Sequence, residues 1–130
     1  MVNRYEDLDA WQLADDVRRE VIALTESGPA AKDFKFRDQI RDAISSAARN
    51  MAEGFGRFNP GDFAHFMDFA IASTMETKDL IGDGIQRGYF SVESTLRARK
   101  QLERCLHVSR ALRRYLKERA QKERSAKRRA

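Results

Sequence analysis

Two histidines, one cysteine and two glutamates are the side chains whose chemistry could support a catalytic or metal site. Helix bundles often hold di-iron centres built from Glu and Glu-x-x-His pairs, but neither His65 nor His107 has Glu three residues before it. Cys105 falls on a predicted apolar helix face without an evident basic partner, which is typical of a small core residue. Glu53 and Glu76 could form a carboxylate pair. The pattern favours a chain with no catalytic site, metal or cofactor.

Glu53 and Glu76 also have a structural interpretation, which we favour over a ligand site. Their carboxylates could accept hydrogen bonds from Arg41, Arg57 or Asn50 between two neighbouring helices. Buried polar groups of this kind can fix register in helical assemblies, provided that every group is satisfied. The predicted structural polar network consists of Gln39, Arg41, Asn50, Glu53, Arg57 and Glu76.

Four amphipathic helices must position these residues. Apolar residues recur every three or four positions over residues of about 7–26, 33–53, 60–88 and 91–116. The connections between these segments are short, and short connections make consecutive helices antiparallel neighbours. The sequence therefore predicts an all-α fold, an antiparallel up-down-up-down four-helix bundle formed by residues 1–116.

Glycine and proline mark the predicted helix ends. Gly54 is expected to end the second helix and to leave Phe55 exposed. Asn59 is a suitable cap for the third helix, and Pro60 fits its first position. Gly54-Phe55-Gly56-Arg57 lacks the Gly-Lys-Ser/Thr ending of a phosphate loop and follows a helix rather than a strand. In an oligomer, Phe55 and Phe58 could contact the next subunit.

Length and composition describe one domain that can bury a core. The chain has 130 residues, of which 42% are hydrophobic, and a single cysteine cannot form an intramolecular disulfide. No apolar run approaches the roughly 20 residues that a membrane span needs. The first residues lack the basic and then apolar layout of a signal peptide. We expect a cytoplasmic protein.

Charge is divided unevenly along the chain. Residues 91–130 hold 14 Lys and Arg against 4 Asp and Glu, whereas the formal net charge of the whole chain is +5. The body before residue 91 is therefore acidic, and the basic character belongs to the last third. Residues 117–130 are rich in charge and lack large apolar groups, so they are predicted to be a basic C-terminal extension, helical at first and fraying into disorder.

This basic segment carries the functional signal. One interpretation is a solvated helix with a solubilising terminus, as charge runs usually are. The other is phosphate contact, with salt-sensitive and weakly sequence-specific binding to RNA or DNA that is lost when residues 117–130 are deleted. A membrane surface is less favoured because the segment lacks the large aromatics of an interfacial helix. The predicted nucleic-acid-binding residues, on a continuous basic face and its extension, are Arg97, Arg99, Lys100, Arg104, Arg110, Arg113, Arg114, Lys117, Arg119, Lys122, Arg124, Lys127, Arg128 and Arg129.

The first three predicted helices carry a pattern that resembles a known family. The residues that match are Leu8, Trp11, Ala14, Pro29, Gln39, Ile40, Arg41, Ala43, Ser46, Asn50, Ala52, Glu53, Gly54, Gly56, Arg57, Phe63, Phe66, Ala70, Ala72, Ser73 and Glu76. They resemble the four helix bundle proteins, also known as the proteins encoded by intervening sequences within bacterial 23S ribosomal RNA genes. The resemblance covers roughly residues 8–116. Asp42 departs from it, since a second Arg usually stands there.

The resemblance implies a non-catalytic, all-helical protein that assembles into homopentameric rings. Relatives that serve as accessory proteins of diversity-generating retroelements bind nucleic acid and a reverse transcriptase as basic pentamers. We therefore expect a homo-oligomer that binds RNA or DNA through the fourth helix and its extension. The alternative is a structural or protein-interaction scaffold that binds a protein partner and no nucleic acid.

Overall fold

The structure, a computed structural model, describes residues 2–130, and every regular element in that range is helical. The all-α prediction is confirmed. Among these helices, none is both long and apolar enough to cross a bilayer. The elements are α1 (Asp9–Leu24), α2 (Gly28–Lys32), α3 (Phe34–Phe55), α4 (Pro60–Gln86) and α5 (Leu96–Arg129), with short 3-10 helices at Tyr5–Asp7 and Glu93–Thr95.

Four long helices enclose one hydrophobic core. α1 packs against α3 and α5, and α4 packs against the same two helices, so each long helix has two neighbours. Every one of them contributes fully buried side chains, for example Val17, Ile44, Met67 and Leu102. The three-and-four spacing of these apolar residues is what gives each helix a single buried face.

The contact between α3 and α4 depends on small residues. Ser73 donates its hydroxyl to Ser46 over 3.1 Å near the middle of the two helices. A Cβ atom on Gly54 would lie 2.7 Å from the Phe63 ring of α4, and one on Gly84 would lie 3.0 Å from the Phe36 ring of α3. The helices can therefore approach closely because these positions carry no side chain.

Gly54 is part of this packing, and the predicted helix stop at Gly54 is wrong. α3 continues through Phe55, and Gly56 follows as its C-terminal cap. Phe55 is half-buried rather than exposed, since its ring meets the Phe63 ring edge to face with centroids 6.2 Å apart. A glycine that ends a helix and a glycine that admits a neighbouring ring look alike in sequence.

The junction before α3 is held by Asp33. One carboxylate oxygen accepts from the Phe36 backbone N–H at 3.1 Å and caps α3, and the other accepts from the Tyr89 hydroxyl at 2.7 Å. These hydrogen bonds, that from Tyr89 above all, lower the pKa of the Asp33 carboxyl. Asp33 thus connects the start of α3 to the loop after α4. The turn predicted after the first helix contains α2, which Gly28 opens with a φ of 72°.

α5 crosses residue 116 without a break and continues to Arg129. Ala, Glu, Gln, Lys and Arg, which dominate this segment, are good helix formers. Glu118 stands four residues before Lys122 and Glu123 four before Lys127, an order of opposite charges that favours a helix although neither pair is in ion-pair contact here. The basic last turn suits the helix dipole. The extension is a continuation of a packed helix; whether it frays in solution stays a prediction.

Candidate nucleic-acid interface

Three arginines of α5 are turned towards the rest of the chain. Arg97 forms ion pairs with Asp16 at 2.9 Å and Glu20 at 3.3 Å. Arg113 pairs with Asp68 of α4. Arg99 donates to the Thr95 hydroxyl at 3.1 Å and to the Val92 carbonyl at 3.0 Å. These three guanidiniums have partners that compete with a phosphate.

The other predicted cations have no carboxylate partner within residues 2–130. Arg104 donates only to Gln101, and Arg110 only reaches the Met75 sulfur at 3.8 Å. The remaining members of the set are Lys100, Arg114, Lys117, Arg119, Lys122, Arg124, Lys127, Arg128 and Arg129, and all of them are exposed. These cations surround the helix instead of forming the single continuous face that the sequence predicts. Exposed, unpaired cations are the groups that can release counterions on binding a polyanion.

Five of them line up on the side of α5 that faces α4. Arg110, Arg114, Lys117, Arg124 and Arg128 follow one another at intervals of four, three, seven and four residues, which places them on one helix face. We call this set the basic stripe. At 1.5 Å per residue it extends over about 27 Å.

A groove between α4 and α5 runs along the stripe. Its α4 wall includes Gly61, His65 and Asp68, and Lys117 and Gln121 lie at its centre. Asp68 is the one carboxylate on the α4 wall, and it is already paired with Arg113. Glu118 borders the α5 side. From Arg114 to Arg124 the stripe therefore faces a wall whose one carboxylate is paired, whereas Arg110 also borders a pocket lined by Asp79, Asp83 and Glu103.

The end of α5 projects beyond α4. A Cβ atom on Gly61, in the first turn of α4, would lie 3.7 Å from the Cβ of Ala120. Ala120 is also the last buried residue of the chain, and every residue after it is exposed. The cations from Lys122 onward therefore stand outside the bundle, where a long ligand can reach them.

The sequence model of the family described as "23S rRNA-intervening sequence protein" matches residues 6–112. This chain belongs to that family. The predicted resemblance is confirmed, and the match covers most of the chain. A comparison with curated proteins finds no match. Residues 113–130, which hold most of the projecting cations, lie outside the part matched by the family of 23S rRNA-intervening sequence proteins.

The six residues of the predicted polar network lie on α3, in the turn after it and on α4, and they do not form one connected network. Glu53 accepts at 3.0 Å from Arg57, which lies in the turn just after α3, and the Arg57 guanidinium lies 4.9 Å from the Phe66 ring centroid. Glu76 and Gln39 are exposed, and neither has a side-chain hydrogen bond within residues 2–130. Of the predicted hydrogen bonds to the two glutamates, the one from Arg57 to Glu53 is present, and none to Glu76 is found within residues 2–130.

Arg41 and Asn50 use their hydrogen bonds elsewhere. Arg41 donates to the buried Thr25 hydroxyl at 2.8 Å and so links α3 to the end of α1. Asn50 donates to the Ser46 carbonyl at 2.8 Å and approaches the Ser46 hydroxyl at 3.2 Å. Since Ser46 also meets Ser73, the α3–α4 contact has a polar centre that the sequence does not reveal, because two serines 27 residues apart carry no periodic signal.

The groups singled out for catalysis lie apart from one another. The Cys105 thiol is buried, donates towards the Ala10 carbonyl at 3.6 Å, and has its pKa raised by that burial. His107 is exposed on α5, whereas His65 borders the groove. Residues 2–130 contain no group of three or more His, Cys, Asp and Glu side chains that could hold a metal ion. The sequence did not predict His65 as part of the candidate interface, because its place depends on the α4–α5 contact.

Proposed function

We propose that this 23S rRNA-intervening sequence protein is a non-catalytic homo-oligomer that binds RNA or DNA through α5 and its extension. The proposed architecture is an antiparallel up-down-up-down four-helix bundle. It is supported by contacts in reverse order along neighbouring helices. On α3 and α4, Ser46 meets Ser73 and the later Gly54 meets the earlier Phe63. On α4 and α5, Asp68 meets Arg113 and the later Lys78 meets the earlier Glu103. The cytoplasmic location stays a prediction from the sequence.

The observation that carries the proposal is the set of unpaired cations on α5. Residues 117–130 hold 7 Lys and Arg against 2 Glu, and the segment projects beyond the bundle. Dense, exposed positive charge on a rigid helix attracts a polyanion irrespective of its sequence. Binding by this segment is therefore expected to depend strongly on salt and weakly on base sequence.

Self-association is supported by exposed side chains at the end of α3 and along α4. Glu53, Arg57 and Glu76 are exposed, and Phe69, seven residues before Glu76 and so on the same side of α4, is 47% exposed. Polar groups around an exposed aromatic ring are the usual composition of an interface. The resemblance suggests a homopentamer, in which five basic segments would act together and raise avidity.

The absence of an enzymatic activity is likewise a proposal. Its support is the separation of the candidate groups. Cys105 is buried and its pKa is raised, whereas His107 is exposed on the outside of α5, where Glu103, four residues before it, is paired with Lys78. A nucleophile needs a base within hydrogen-bonding distance. Incubation with ester, phosphoester and nucleotide substrates is expected to give no turnover above background.

A salt titration of binding tests the nucleic-acid proposal. The full chain is titrated with labelled RNA and DNA oligonucleotides between 50 and 300 mM salt, beside a variant in which the seven Lys and Arg of residues 117–129 are Gln. We expect the logarithm of the binding constant to fall linearly with the logarithm of salt for the natural chain, and the variant to bind weakly with a much smaller slope. A matched control, Lys32→Gln with Lys35→Gln, changes cations of the acidic body. Binding that does not depend on salt and is not weakened by the seven Gln substitutions would refute the proposal.

A protein-interaction scaffold is the second candidate, and the exposed Phe69 beside Glu76 supports it. The same titration separates the two functions. A scaffold retains its oligomer and shows no binding to either oligonucleotide at low salt.

A further inference from the structure

One exposed aromatic side chain borders the basic stripe, and a second lies in the loop that leads into the same end of α4. His65 borders the groove together with Lys117 and Arg124, and its ring meets the Phe69 ring edge to face with centroids 4.7 Å apart. Phe58 lies in the loop just before α4, three residues from Gly61, which approaches Ala120 of α5. Aromatic rings among cations are the combination that single-stranded nucleic acids recognise, by base stacking and phosphate contact together.

Phe58 has no evident role in the fold. Its side chain is 94% exposed, and it has a φ of 55°, the left-handed region that phenylalanine rarely adopts. No other residue of the described chain except glycine has a positive φ. A large apolar ring held in water on a strained backbone contributes nothing to core packing, so the position is better explained by a contact with a ligand.

The charge around His65 suits a phosphate backbone. Lys117 and Arg124 line the groove opposite His65 without a carboxylate partner, whereas Asp68 on the same wall is neutralised by Arg113. Arg128 continues the stripe past the end of α4. A strand lying along the stripe would have phosphates beside these cations and base faces beside the rings.

We propose that the basic stripe binds single-stranded nucleic acid in preference to duplex, with bases stacked on Phe58 and His65. The inference rests on the proposed nucleic-acid function and adds the form of the ligand and the side of α5 that holds it. A duplex hides its base faces in the stack, so it can use the cations but not the rings. Because every base has a stacking face, the preference is for single strands and not for a sequence.

The test compares binding of a mixed-sequence single strand with its own duplex, both as RNA and as DNA, at one salt concentration. Single-stranded RNA and single-stranded DNA are each expected to bind more tightly than the corresponding duplex. The double variant Phe58→Ala, His65→Ala should lose about 5- to 150-fold per ring for single strands and little for duplex. Phe34→Ala is the matched aromatic control, since Phe34 is 65% exposed at the start of α3, away from the stripe. Because the substituted side chains are exposed, circular dichroism should show an unchanged helical content.

A second pair of variants tests which side of α5 binds the single strand. Lys117→Gln, Arg124→Gln and Arg128→Gln remove three cations of the stripe, and Arg119→Gln, Lys122→Gln and Arg129→Gln remove one Lys and two Arg from the same segment on its other sides. The first set is expected to weaken single-strand binding at least ten-fold more than the second.

Equal affinity for single strand and duplex, an unaffected double aromatic variant, or equal losses from the two charge sets would overturn the inference while leaving the proposed function intact. If the natural chain binds neither form at low salt, both are overturned.

Discussion

Substitution of Gly54 by alanine tests the close approach of α3 and α4 directly. The added Cβ would lie 2.7 Å from the Phe63 Cδ1 atom and 2.9 Å from the Phe66 Cβ atom. The Phe63 ring is the end of a side chain and can rotate to some extent. The Phe66 Cβ is fixed to the α4 backbone, so relief of that contact requires the two helices to move apart.

The change in the free energy of unfolding caused by Gly54→Ala is the difference between an overpacking penalty and a gain in helix propensity. Overpacking of this kind costs about 1–3 kcal/mol, and the rigid Phe66 contact places Gly54 in the upper part of that range. Alanine is better than glycine in a helix interior by up to about 1 kcal/mol. The free energy of unfolding should therefore fall by about 1–2 kcal/mol. With an unfolding entropy of about 2.1 cal/mol/K per residue, 130 residues give about 4 °C per kcal/mol, hence a Tm about 4–8 °C lower.

Gly82→Ala is the matched control within α4. A Cβ on Gly82 meets no atom within 4 Å, so only the gain in helix propensity remains, and Tm should rise by about 2–4 °C. Thermal unfolding followed by far-UV circular dichroism, at equal protein concentration for all three chains, measures both shifts. A Gly54→Ala variant as stable as the Gly82→Ala variant would show that α3 and α4 are not in close contact at Gly54.

Two further predictions concern carboxylates of the body. Asp33→Ala removes both the α3 cap and the acceptor of the Tyr89 hydroxyl, and it should lower the free energy of unfolding, measured in urea, by about 1–2 kcal/mol. Tyr89→Phe removes only the hydroxyl and should lower it by about 0.5–1.5 kcal/mol. Equal stability of the natural chain and the two variants would contradict the described contact. Burial raises the pKa of Asp15, but hydrogen bonds from Arg18 and Arg19 outweigh it and the net pKa is lowered. The ionised Asp15 therefore contributes its full stabilisation above about pH 4, and this is lost as pH falls through the folded-state pKa. Asp15→Asn should flatten the dependence of the unfolding free energy on pH in that range, whereas the exposed control Asp9→Asn should not. An Asp15→Asn variant with the same acid dependence as the natural chain would refute the ion pairs assigned to Asp15.

Local chemistry made the helices predictable from the sequence. The apolar periodicity depends only on neighbours three and four residues away, and it located the four long helices correctly. The start of α4 is also a local signal: Asn59 caps it by accepting from the Asp62 backbone N–H at 3.0 Å, with Pro60 at the first position, as predicted. The sequence predicts that the chain is helical at first beyond residue 116, and the course of α5 to Arg129 fits this because helix propagation from a packed segment needs no apolar residues of its own.

The sequence did not reveal side-chain contacts between residues that are distant in the chain. Arg97 and Arg113 look like their basic neighbours, yet they find Asp16 and Asp68, which lie 81 and 45 residues away. Arg41 is bonded to Thr25 rather than to a glutamate. Periodicity assigns a residue to a face but does not identify the residue opposite, so which cations of the candidate interface remain unpaired depends on the tertiary contacts.

The unbroken course of α5 past Leu116 has an entropic consequence. A disordered basic segment would lose chain and rotamer freedom when it closes on a polyanion, and that loss subtracts from affinity. Here the costly first turn of the helix is already formed inside the bundle, so the projecting turns need only be propagated. Its cations therefore reach a ligand at a preset spacing, and binding orders side chains but little backbone.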